Sequence, residues 1–190
     1  VLSHRFQGFV NDWAPFLAAV VLFDSLRSLQ FAVTTHFELP MYAGYAIEWE
    51  RWLCGGVLAP VSVQHWRATL SDPFWLDRLF VLVHASHFLF FLLFGFLLWY
   101  LRRDVFRTYA IAMTAVLYLA WLIQFLVPTI PPWLAARDFA LLPETERLIR
   151  SVYNANLPSL FAVFDVNPIA AMPSLHTAMQ ALCAFVALHY

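Results

Sequence analysis

The sequence predicts an all-α, polytopic membrane protein, a helical bundle with about four spanning segments joined by interfacial helices. Three observations carry that expectation. Hydrophobic residues make up 62% of the chain and charged residues only 12%, about half the charged share of a soluble domain. The apolar residues gather into runs near the length of about 20 residues that crosses a bilayer. Between the runs lie stretches rich in tryptophan and proline, which suit a membrane surface and a helix stop respectively.

The elements follow in chain order. The first span covers residues 13–33 and is apolar except for Asp24 and Arg27. Those two lie three apart, so on a helix they share a face and can pair with each other. Residues 34–78 hold one short apolar piece, "CGGVLAPVSV", too short to cross. They read as helices lying at the interface, with Trp49, Trp52, Trp66 and Trp75 as anchors. The second and third spans are 79–100 and 108–127. "VPTIPPW" then stops the third span, because three prolines in five residues cannot continue an α-helix, and Trp133 suits the aromatic belt. Residues 128–172 form a long loop, with a short helix starting near Glu144 after Pro143. The fourth span starts at Pro173. The chain opens Val-Leu-Ser without an initiator methionine and stops at "FVALHY" inside an apolar segment. It reads as a single membrane domain truncated at both ends.

Charge supplies orientation and removes one class of partner. The net charge is −1, with eleven arginines and no lysine, so no basic run suggests nucleic acid. The connection "LRRDVFR" concentrates Arg102, Arg103 and Arg107, while residues 134–172 spread three arginines and offset them with acids. The positive-inside rule therefore puts 102–107 in the cytoplasm. By parity of spans, Pro128–Trp133 and Pro173–His176 then share the outer face. Cys54 and Cys183 form no metal or redox spacing and read as small apolar side chains.

The chemistry gathers at "MPSLHTA". Proline is favoured in the first turn of a helix, and the unpaired N–H groups that follow make an anion site. Ser174 adds a hydroxyl to it, and His176 lies within the same turn. The helix dipole disfavours an imidazolium there by roughly 0.3–1 kcal/mol. A phosphate at about 4 Å favours it by about 4 kcal/mol at an effective dielectric near 20. A phosphate would therefore win and leave His176 charged, ready to protonate a departing alkoxide. The plainer alternative is a histidine that caps the helix or bonds a carbonyl. His84 and His87, three apart on the second span, have two readings. They are hydrogen-bonded structural residues or they line the site.

Together "FLVPTIPPW" and "NPIAAMPSLHTA" resemble the type 2 phosphatidic acid phosphatase superfamily, most closely its branch of inositol phosphorylceramide synthases. "FDSLR", "WLCGGVLAPVSVQ" and "HASHF" extend the resemblance over most of the chain. The resemblance implies a domain of about six spanning helices that uses no metal or other cofactor. It implies an enzyme, a phosphatase or phosphotransferase, acting through a phosphohistidine on a lipid phosphate or phosphodiester. Membrane lipid is then its partner, and the plasma or inner membrane its location, with an extracytoplasmic site.

Carried onto this sequence, Ser174 and His176 bind phosphate and His176 protonates the leaving group, with Pro173 and Trp133 beside them. The nucleophile of the family is a later histidine followed four residues on by aspartate. Residues 1–190 contain no such pair, so this stretch alone is expected to be inactive. His189 is no substitute, lying about 20 Å beyond His176 at about 1.5 Å per residue. The phosphate-binding Lys and Arg of the phosphatase branch also have no counterpart, since Gln124 and Pro131 take their places. Arg137, Arg147 and Arg150 are the candidate cations in their stead. Two alternatives stay open: a haem or metal protein using His84, His87 and His176, and a noncatalytic relative.

Overall fold

A computed structural model describes residues 2–72, 74–143, 145, 167 and 169–190. All regular structure among them is helical. The helices are α1 (Leu2–His36), α2 (Gly44–Leu53), α3 (Ala59–Ala68), α4 (Phe74–Leu101), α5 (Arg103–Leu126), α6 (Pro132–Phe139) and α7 (Leu175–His189). α1 and α5 are each long and apolar enough to cross a membrane, and the two parts of α4, Phe74–His87 and Leu89–Leu101, meet at a 46° bend and count as a third where they form one span. The chain is an integral membrane protein built as a polytopic helical bundle.

α5 is the hub, packed against α1, α4 and α7. Its buried residues Val105, Tyr109, Met113, Leu117, Ala120 and Gln124 recur every three or four positions, so they form one inward stripe. Lipid tails are as apolar as leucine, so packing and interhelical hydrogen bonds must hold such helices together. Both are present. Trp13 of α1 stacks on Phe106 with centroids 5.0 Å apart. The Tyr109 hydroxyl donates to the Phe91 carbonyl of α4 at 2.7 Å and lies 3.6 Å from Cys183 Sγ of α7. Tyr118 and Trp121 donate to the carbonyls of Ala19 and Leu26 on α1.

The two ends of the bundle are closed differently. At the arginine-rich end, Asp12 of α1 accepts hydrogen bonds from Trp99, Arg103 and Arg107. At the opposite end, three loop segments run side by side. Tyr42 N donates to the Pro128 carbonyl at 2.8 Å, Ile130 N to the Tyr42 carbonyl at 3.0 Å, and Ala171 N to the Thr129 carbonyl at 2.9 Å. Thr129, fully buried, is the middle of this parallel ladder, and its hydroxyl meets Tyr45. The ladder joins the segment after α1 to "PTIPP" and to the segment before α7. α2 and α3 contain no fully buried residue; Trp52 is 78% exposed, which suits a headgroup layer better than water. Asp77 at the start of α4, its side chain 4% exposed, is held by Arg67 of α3.

Several sequence-based boundaries move. α1 extends beyond 13–33 at both ends, α4 beyond 79–100, and α5 starts five residues before 108. The fourth segment begins at Leu175, not Pro173, and runs to His189. Ser174 is its N-cap, accepting from Thr177 N at 3.4 Å, so Pro173 precedes the cap and does not occupy the first turn. After the proline stop the chain does not simply pass Trp133 as an anchor. Proline suits a first helical position as well as it stops a helix, and α6 starts at Pro132. The short helix expected near Glu144, with Arg147 and Arg150, lies outside the described residues.

Candidate active site at the start of α7

Four polar side chains fix where α7 begins. Gln124, fully buried near the end of α5, donates from Nε2 to the Pro173 carbonyl at 2.9 Å and to the Ala170 carbonyl at 3.4 Å. Gln30 of α1 donates to the Gln124 carbonyl at 2.7 Å. Asn167 donates to the Gln30 side chain and to the Arg27 carbonyl, both at 3.2 Å, while its own oxygen accepts from Ile169 N. With Thr129 at the ladder, these bonds satisfy loop carbonyls that would otherwise be buried without partners, at a cost of about 1–3 kcal/mol each.

On that platform three imidazoles meet. The His176 ring lies 3.8 Å from that of His87 and 4.1 Å from that of His84, centroid to centroid, and the two α4 rings are 5.9 Å apart. His87 is buried, while His84 is exposed. The bend in α4 falls just after them and has a local cause. Ser86 Oγ donates to the Val83 carbonyl and His87 Nδ1 to the His84 carbonyl, each at 2.7 Å. Side chains that bond carbonyls three residues back compete with the helical ladder and bend it. The same bond fixes the His87 tautomer, so Nε2 carries the lone pair when that ring is neutral. The His84–His87 pair is thus both structural and in contact with His176.

Of the three candidate cations, Arg137 lies among the described residues. Arg137 forks onto Asp138, with Nε–Oδ1 2.5 Å and NH2–Oδ2 2.8 Å, and sits 5.2 Å from the Trp133 ring centre. That guanidinium holds the Asp138 carboxyl below its ordinary range. Trp133 packs partly buried against the small core of Ile130, Leu134, Ala135 and Ile169. No described contact joins Trp133 or Arg137 to Ser174 or His176. Arg27, in contrast, is tied through its carbonyl to Asn167, in the segment that leads to α7.

Arg27 carries two signals in the sequence, its charge inside an apolar span and its place in "FDSLR", and Asp24 three residues back offers it a partner. That pair exists, at 3.7 Å. Gln30, Gln124 and Asn167 carried no motif; a glutamine well inside an apolar helix was the one available hint.

The arrangement offers a serine at a helix N-cap, an imidazole in the first turn, two more imidazoles on it, and Arg27 on the helix tied to the segment before the cap. Among the described residues no group of three or more His, Cys, Asp or Glu is disposed to hold a metal ion. A phosphate ester suits the set better, being anionic and in need of a proton donor. A family model described as the PAP2 superfamily matches residues 45–190, the superfamily that the two proline motifs resemble. No curated protein and no solved structure matches the chain.

Proposed function

The chain belongs to the PAP2 superfamily, whose membership implies a membrane enzyme of phosphatase type acting on phosphate esters, and on that premise we propose that it transfers the phosphoryl group of a membrane lipid. The substrate is a lipid phosphate or phosphodiester. Its tails lie between helices and its head group meets Ser174 and His176. A histidine nucleophile attacks phosphorus and the bond to the leaving oxygen breaks. His176 gives that oxygen its proton. Water, or a second alcohol as in the inositol phosphorylceramide synthase branch, then attacks the phosphohistidine and releases the nitrogen. The nucleophile is a histidine of the His-x-x-x-Asp kind, a pair that residues 1–190 do not contain. The site faces the extracytoplasmic side.

The contact of His176 with His84 and His87, in the first turn after the Ser174 cap, carries the reading. Ser174 and the helix N-terminus supply hydrogen bonds to the phosphate. The two α4 imidazoles line the site, and His87 can exchange a proton with His176 as charge develops.

His176→Gln in the natural full-length chain tests the acid role. Glutamine stays polar but cannot donate a proton of suitable acidity. Turnover of a lipid with an alcohol leaving group should fall about 10²–10⁴-fold. Hydrolysis of a nitrophenyl phosphate ester, whose leaving group hardly needs a proton, should fall far less. Equal losses on both substrates, together with a lower folded yield, would reduce His176 to a structural residue.

A further inference from the structure

The helix α1 precedes the residues that the family model matches, yet it brings the site a guanidinium. The Arg27 side chain is 16% exposed, and its Nε is buried with no hydrogen-bond partner. Its ion pair with Asp24 is loose: the N–O distance is 3.7 Å, and the Asp24 side chain is 63% exposed. A well-made charge-assisted bond is about 2.7–2.9 Å long. The Phe23 ring, 5.7 Å from the guanidinium carbon, adds only a weak cation–π contact. A cation so far out of water is costly unless an anion completes its shell.

The surroundings say which anion. The Arg27 carbonyl accepts from Asn167, in the segment that leads to the Ser174 cap. One turn on, Gln30 bonds the Gln124 backbone, and Gln124 bonds the Pro173 carbonyl. These ties hold Arg27 level with the segment that leads into α7. A protonated imidazole in this cluster is repelled by a guanidinium beside it, and an anion bound between the two relieves the repulsion.

We propose that Arg27 binds the substrate phosphate, supplying from α1 the charge that Gln124 and Pro131 do not. This rests on the reading of the Ser174–His176 site as a phosphoryl-transfer site, and it makes α1 part of the catalytic unit. Asp24 then acts as a weak placeholder: it keeps Arg27 paired when the site is empty and competes with phosphate when it is not. A forked guanidinium fits two phosphate oxygens, which an ammonium on the same helix would not.

The experiment is phosphate affinity, read from the rise in thermal midpoint with inorganic phosphate for the purified full-length chain in lipid nanodiscs at fixed ionic strength. Arg27→Gln should weaken phosphate about 10–100-fold, and Arg27→Lys should recover part of the loss. Asp24→Asn should tighten it a few fold by removing the competing carboxylate. Were Arg27 only a structural partner of Asp24, Asp24→Asn would lower the midpoint without phosphate and leave affinity unchanged. That outcome, or unchanged affinity in Arg27→Gln, overturns the proposal. If Arg27→Gln does not fold, Arg27→Lys and Asp24→Asn decide by the same readout. Ser174→Ala separates the two levels. Lost phosphate binding in Ser174→Ala with normal binding in Arg27→Gln refutes Arg27 alone. No phosphate response in the unmodified protein refutes the site itself, and Arg27 with it.

Discussion

Asp12 and Arg27 sit on one helix and make a comparison of the two ends of the bundle. Asp12, its side chain 5% exposed, has Trp99 Nε1 at 3.0 Å, both nitrogens of an Arg107 fork at 3.1 Å, and Arg103 as partners. Arg27 has one carboxylate at 3.7 Å and a buried Nε without a bond. Both charges are withdrawn from solvent, but only the first is fully answered by the protein. A charge that serves the fold is satisfied where it stands. One that serves a ligand is left partly open, because a site already filled by its own side chains has nothing to offer.

The largest effect expected from this comparison is all-or-none and concerns which end faces which side. The arginine-rich end should be cytoplasmic and the histidine end extracytoplasmic. In a Cys54→Ser background, a cysteine at Asp138 should be labelled by an impermeant thiol reagent in intact cells. One at Arg102 should not. Arg102 is the better probe than Arg103, since it pairs only loosely with Asp104 and leaves the Asp12 cluster intact. Cys183 is buried and stays silent. Labelling at 102 but not at 138 would invert the protein and move the site to the cytoplasm.

A smaller effect, and of a different kind, is expected at Asp12. Asp12→Asn keeps the shape but removes the charge, while Arg103 and Arg107 are exposed enough to turn to water. The thermal midpoint should drop by about 2–10 °C, with phosphate affinity unchanged. Arg27→Gln should do the reverse, moving affinity more than the midpoint. If Asp12→Asn also weakened phosphate, the two ends would not be separable in the way drawn here.

How much of this was legible in the sequence differs between the ends too. The apolar runs and the proline stop follow from composition and from backbone chemistry that is local, so α4, α5 and the end of α5 came through. Ser174 and His176 were legible as candidates because their motif is contiguous. What failed to appear was long-range. Gln124, read only as a missing cation, turns out to be the residue that holds the Pro173 carbonyl. Thr129 gives no hint in "VPTIPPW" that two other segments will pair on either side of it. Arg27 was satisfied on paper by a neighbour three residues away. Its proximity to His176 depends on α1 and α7 both packing on α5, which no local pattern states.

The smallest effect should come from the other candidate cation at the histidine end, Arg137. Unlike Arg27 it is exposed and already committed, forked onto Asp138 and resting by Trp133. Exposed pairs of this kind contribute little, because water screens them and holding two flexible side chains costs entropy. Arg137→Ala should therefore change phosphate affinity by less than about threefold, well inside the loss expected for Arg27→Gln. The substitution still has a readout of its own. Arg137 is what keeps the Asp138 carboxyl below its ordinary range, so its removal should let Asp138 bind a proton at higher pH, measurable by carbon NMR of labelled aspartate. A raised Asp138 titration with phosphate affinity intact would mark Arg137 as a surface pair of the loop. A tenfold loss of phosphate affinity instead would mean that Arg137 swings from Asp138 to the ligand, and the charge in the site would then come from the loop as well as from α1.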